Sequence, residues 1–156
     1  MPETTFSRVA RRMGILSASS VAGVGCAYAV TLAIGFVSIE PSHGPIPDPI
    51  FTILEVLILL MVPPLVAMMA ALQAWAPVSM RPLALASSLF MAMTAALTAS
   101  VHFSVLVLSR SDAFQGEVWR QVFSFEWPSV VYVLDILAWD VFFPLSMLFA
   151  APLFGA

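Results

Sequence analysis

The chain has 156 residues, of which 61% are hydrophobic and only 10% charged, with a mean hydropathy of +1.00 and a formal net charge of −3. Soluble domains are about 45–50% apolar and about 25% charged, so this composition excludes an ordinary soluble globule. The six basic residues are all arginines scattered along the chain, too few to follow a phosphate backbone, which excludes a nucleic-acid partner.

A bilayer crossing needs roughly 20 mostly apolar residues, and residues 13–39, 50–76, 82–109 and 128–154 each reach that length. Lipid admits only helices and closed barrels, and no run of alternating polarity suited to barrel strands recurs. The expected fold is therefore all-α: a single transmembrane domain over residues 1–156, forming a four-helix bundle in the cell membrane. Basic residues near span ends set the orientation. Arg8, Arg11, Arg12 and Arg81 fall on one side, against Arg110 and Arg120 on the other. This predicts cytoplasmic termini and outward-facing loops at 40–49 and 110–127.

In the first span, Arg11-Arg12 precede an apolar run and Ala27-Tyr28-Ala29 resembles a cleavage site. The run continues through Ile39, beyond the 7–15 residues of a signal core, so a retained span is expected. Gly14, Ala18, Ala22 and Cys26 recur every four residues, with Ser19, Gly23 and Ala27 beside them. Such small-residue rows let helix backbones approach closely in lipid, so this span reads as scaffold and the lone Cys26 as packing. The loop EPSHGPIPDP that follows holds four prolines. It reads as a rigid connector or as a lid bringing His43 over the acids below.

The second and fourth spans share a weak internal repeat. Displacing one by eighty positions sets Leu54-Glu55 on Leu134-Asp135, Pro64-Leu65 on Pro144-Leu145 and Ala70-Ala71 on Ala150-Ala151. Two helical hairpins related by an axis along the membrane normal are one reading, and coincidence in a biased alphabet is the other. At 1.5 Å per residue, Glu55, His102 and Asp135 lie roughly 8–10 Å from the same end of their spans, and Asp140 roughly 18 Å. Ionisable groups at such depth face a protein interior or a wet cavity, so Glu55, His102 and Asp135 are expected to converge as the catalytic group. At 100° per residue, Tyr132, Asp135, Trp139 and Phe142 share a face with Ser146. The expected site is a pocket with the acids and imidazole at its mouth and aromatic walls below. Asp140 serves as a deeper extension or faces another helix, and Trp127 lines the entrance or anchors at the interface.

Pro144 withholds the N–H that the Asp140 carbonyl would accept, as Pro63 and Pro64 do for Leu59 and Leu60. No metal or cofactor is assigned, since no two ligands show a tight helical spacing such as His-x-x-x-His.

Two nearby carboxylates away from water resist joint ionisation, so one keeps a proton and can act as a general acid beside His102. Aromatic faces stabilise developing positive charge. These parts suit proton-initiated isomerisation, cyclisation or hydration of an isoprenoid-like or other hydrophobic lipid. In chemistry alone, the plan resembles emopamil-binding-type sterol isomerases and small membrane-bound isoprenoid cyclases. That resemblance is one of chemistry, without a motif over a contiguous stretch, and transfers no residue roles. The same acids suit a proton- or ion-coupled transport component, or a non-catalytic subunit whose acids pair with a membrane-protein partner or a second copy.

Overall fold

The computed structural model describes residues 7–39, 46–114 and 116–155, and every regular element among them is helical. In chain order these are α1 (Arg8–Val37), α2 (Ile50–Trp75), α3 (Arg81–Leu108), a short α4 (Glu117–Phe123), α5 (Val130–Ile136) and α6 (Phe143–Ala150). A π-helical segment, Leu137–Phe142, joins α5 to α6, and a 3-10 turn, Ala151–Phe154, closes this fourth span. Four helices are thus long and apolar enough to cross a membrane. His43, with the lid reading attached to it, lies outside the described residues.

Local chemistry explains where the helices start. The Ser7 hydroxyl accepts the Ala10 N–H at 3.1 Å, so α1 opens at Arg8 and carries its arginines in its first turns, ahead of the expected residue 13. Ser129 caps the fourth span by accepting the Tyr132 N–H at 3.2 Å. Asp48, one residue before the N-cap Pro49, reaches over the first turn of α2, accepting the Thr52 N–H at 3.2 Å and the Thr52 hydroxyl at 2.6 Å. Its carboxylate also takes the Arg110 guanidinium at 3.0 Å, clasping the start of α2 to the end of α3. The Thr52 hydroxyl chiefly, then its N–H and Arg110, hold the Asp48 carboxyl below the ordinary carboxylate range.

α1 packs along α2, α2 along α3, and α3 along the fourth span, whereas no comparable seam joins α1 to the fourth span. The central helix α3 turns Ser87, Met91, Thr94, Thr98, Val101 and His102 inward and leaves Leu85, Leu89, Met93, Phe103 and Val107 exposed. This inversion of the soluble pattern is what lipid demands, because hydrocarbon has no preference for buried over exposed leucine while polar groups need internal partners. The mid-bundle core is Leu65, Met69 and Met91, with Trp139, Phe143 and Met147 packed against it.

The face that α1 buries corrects the small-residue reading. Gly14, Ser17, Val21, Tyr28 and Gly35 turn inward, while Ala18, Ala22 and Cys26 are exposed. A Cβ on Gly14 would sit 3.1 Å from the Ala71 Cβ, whereas one on Gly23 would meet nothing within 4 Å among the described residues. Residues spaced by seven drift only about 20° per step on an α-helix, but residues spaced by four drift about 40°. The row begun at Gly14 therefore turns away from α2 before it reaches Cys26.

In the fourth span, the Phe143 N–H donates to the Ala138 carbonyl five residues back. The wider turn immediately precedes Pro144, which has no N–H to offer. The carbonyl that gains a side-chain donor is Ala138's, which accepts the Thr94 hydroxyl at 3.3 Å. An extra residue in one turn rotates everything after it, so the face drawn at 100° per residue breaks here. Phe142 stacks on Phe90 with ring centroids 6.2 Å apart, and Phe149 stacks on the same ring at 5.6 Å.

Candidate functional site

Glu55 from α2, His102 from α3 and Asp135 from α5 meet at one level of the bundle. The His102 Nδ1 lies 2.9 Å from Glu55 Oε2, and its Nε2 lies 3.3 Å from Asp135 Oδ1. Each carboxylate thus takes one ring nitrogen of a single imidazole. The two ends differ in access, since the Glu55 side chain is 4% exposed and that of Asp135 24%. The sealed end is Glu55 and the open end is Asp135.

This geometry fixes a proton inventory. If both ring nitrogens carry hydrogen, the imidazolium donates to two carboxylates; if one does not, a carboxylic acid donates to it instead. These two states differ only in where one proton sits along a hydrogen bond, and both leave the triad with a net charge of −1. Removing a further proton would aim a nitrogen lone pair at a carboxylate in a poorly solvated place, which is costly. The arrangement can therefore hold one proton shared between an imidazole nitrogen and a carboxylate oxygen.

Aromatic rings cover it on the side of the 109–129 connection. The Phe125 ring stacks on His102, with centroids 5.1 Å apart and planes 24° apart, and Phe51 meets Phe125 edge-on at 6.4 Å. Beyond Phe125 lies a cavity of about 490 Å³ walled by Phe51, Val105, Phe123 and Phe125, with Arg120 and Glu126 at its polar side. That volume falls within the roughly 300–1,000 Å³ of small-molecule sites. Glu55, His102 and Asp135 do not line this cavity, whose wall includes the Phe125 ring that stacks on His102. The phenol of Tyr28 on α1 is within electrostatic reach of both Glu55 and Asp135.

Below the triad the seam between α3 and the fourth span is packed and polar. Thr98, one turn from His102, is fully buried, and among the described residues neither its hydroxyl nor the Trp139 Nε1 has a hydrogen-bond partner. Deeper, Thr94 donates to the Ala138 carbonyl, and Ser146 donates to the Ser87 carbonyl at 2.8 Å.

The other residues expected to line the site are dispersed. Trp139 packs into the mid-bundle core and Phe142 onto Phe90. Tyr132 is half-buried beside the triad's level and Asp140 is exposed. Trp127, 70% exposed, borders a shallow surface cavity of about 180 Å³ with Glu117, Arg120 and Gln121. Sequence reasoning passed over Phe51, Phe125 and Tyr28. Tyr28 had a signal, the seven-residue spacing from Gly14 and Val21, whereas Phe125 lies in an irregular segment where no periodicity points anywhere.

No set of three His, Cys, Asp or Glu side chains suited to holding a metal ion occurs among the described residues. In the triad each imidazole nitrogen faces a carboxylate oxygen rather than a common centre. Comparison with family models, curated proteins and solved structures finds no match.

Proposed function

We propose that this chain is an acid–base catalyst of the cell membrane, with both termini in the cytoplasm, that isomerises, cyclises or hydrates an isoprenoid-like or other hydrophobic lipid. The observation that carries the reading is the clasp of His102 between a sealed and a partly open carboxylate, one ring away from an aromatic cavity. Glu55 holds the proton in reserve, His102 relays it and Asp135 delivers it. In an isomerisation the Asp135 O–H bond breaks and its proton adds to one carbon of a C=C bond, leaving positive charge on the other carbon. An adjacent C–H then gives its proton to the Asp135 carboxylate and its electron pair closes the displaced double bond. Cyclisation differs in that a second C=C attacks the cation before proton loss, and hydration in that water attacks and then loses a proton. The faces of Phe125 and Tyr28 stabilise the cation, and Tyr132, one turn from Asp135, contacts the substrate.

In the same reading, Glu55 and Asp135 are counterparts in two hairpins related by an axis along the membrane normal. The support is that residues eighty positions apart take the two ring nitrogens of one histidine.

The test is gentle extraction, native mass spectrometry and identification of the bound lipid, followed by incubation of that lipid with the protein in D2O. A bound isoprenoid, sterol or quinone that gains carbon-bound deuterium with the parent protein, and none with Asp135→Asn or Glu55→Gln, supports the reading. A bound lipid that never exchanges, or exchanges equally in these variants, refutes it.

Proton-coupled transport is a second reading, favoured by the polar ladder Thr98, Thr94, Ser87 and Ser146 leading from the triad through the bundle. Proton flux into vesicles that stops with Thr98→Val, while deuterium exchange is absent, separates it from catalysis.

A further inference from the structure

Asp140 is the carboxylate that the triad leaves unused. It is the eleventh residue of the span Val130–Phe154, about 15 Å along a helix of about 36 Å, and so sits near mid-bilayer. It lies two residues beyond Ala138, which is fully buried, and therefore on the opposite side of the helix. Its neighbours on that side are Val133, Val141 and Leu148, exposed by 46%, 41% and 65%. Asp140 is itself exposed, and among the described residues it has no hydrogen-bond or ion-pair partner. Mid-membrane carboxylates almost always face a protein interior or a wet cavity, because hydrocarbon cannot solvate them. A bundle that turns one outward is a bundle with a neighbour.

The neighbour's chemistry follows from what this chain lacks. Its arginines lie at residues 8, 11, 12, 81, 110 and 120, in the first turns of α1, at the first residue of α3, after α3 and in α4. The described histidine, His102, is buried between two acids. A second copy could not place any of these cations at the depth of Asp140.

We propose that the stripe Val133–Asp140–Val141–Leu148 docks a transmembrane helix of a different polypeptide, one that carries a lysine or arginine in the central third of its span. Apolar side chains on both helices pack around the ion pair, which lipid leaves unscreened by water. This docking face is independent of the triad, and it fits a catalyst, a transporter or a subunit equally.

The test places a photoreactive benzoylphenylalanine at Val141 or Leu148 in the native membrane, with Leu89 on the exposed face of α3 as the control position, and identifies the crosslinked product. The expected product from Val141 and Leu148, and not from Leu89, is a different membrane protein with a central Lys or Arg in a span. Its yield should fall at least tenfold with Asp140→Asn and return when Asp140→Lys is paired with the partner's Lys or Arg changed to Asp. A product made of two copies of this chain, lipid adducts alone, a partner without the central cation, or an unchanged yield with Asp140→Asn overturns the proposal. Asp140→Asn keeps the side chain's shape at an exposed, unpaired position, and an unchanged unfolding midpoint confirms that loss of the product is loss of docking.

Discussion

Glu55→Gln and Asp135→Asn should destabilise the bundle unequally, and the inequality tests the sealed and open ends of the triad. Glu55 is 4% exposed and lies 2.9 Å from Nδ1, whereas Asp135 is 24% exposed and 3.3 Å from Nε2. A hydrogen bond to a charged group contributes about 1.5–3 kcal/mol, and a neutral one about 1 kcal/mol. Glutamine keeps an oxygen that can accept the Nδ1–H, so Glu55→Gln exchanges the first kind for the second and should cost about 1–2 kcal/mol. Asp135 makes a longer bond in a wetter place, so Asp135→Asn should cost well under 1 kcal/mol. Glu55→Leu, which leaves the buried Nδ1–H with no acceptor, should cost about 3 kcal/mol or more. The assay is reversible unfolding in bicelles, followed by near-UV dichroism and repeated for each variant. An Asp135→Asn variant as unstable as Glu55→Gln, or a Glu55→Leu variant no worse than Glu55→Gln, would refute the assignment of sealed and open ends.

Three further outcomes are open to measurement. Gly14→Leu should destabilise by about 1–3 kcal/mol through overpacking, because a Cβ there already crowds Ala71 at 3.1 Å, while Gly23→Leu, with open space around it, should change stability by less than about 0.5 kcal/mol. The same bicelle unfolding reads both, and equal effects would contradict the seam assigned to α1. Ser146→Ala should cost about 1 kcal/mol by removing the donor to the buried Ser87 carbonyl, and an unchanged midpoint would count against that bond. The Asp48 carboxyl is held below its ordinary value, so its contribution is complete above the unfolded value of about 3.9 and disappears as the pH falls through the lower folded value. A spin-label distance between positions near Asp48 and Arg110 should hold from pH 7 to about 4 and lengthen below it. Lengthening between pH 5 and 6 would mean that another group controls the clasp.

The two aspartates of the fourth span show what each level of description can see. Composition and run length were enough to require four membrane-length helices, because the cost of exposing backbone and charge to hydrocarbon is large and nearly independent of context. Counting residues from the span ends put Glu55, His102 and Asp135 at one depth, because helix rise is a local property that neighbours barely alter. Azimuth was different. The π segment Leu137–Phe142 before Pro144 inserts a residue into one turn, and Phe142 at its end stacks on Phe90 instead of lining the site. No period in the sequence announces that shift, since Pro144 is compatible with a bend, a lost hydrogen bond or a wider turn, and packing against Thr94 and Ala138 selects among them.

α1 carries the same division. Its apolar length is written in the residues, but its seam runs through Gly14, Val21 and Tyr28, because residues seven apart stay on nearly the same side of a helix that keeps contact with its neighbour along its length. Phe125 reaches His102 from an irregular segment whose path depends on where α4 and α5 settle. Depth and span number are determined residue by residue along the chain. The direction in which each side chain looks depends on helix pairing, and only the assembled bundle decides it.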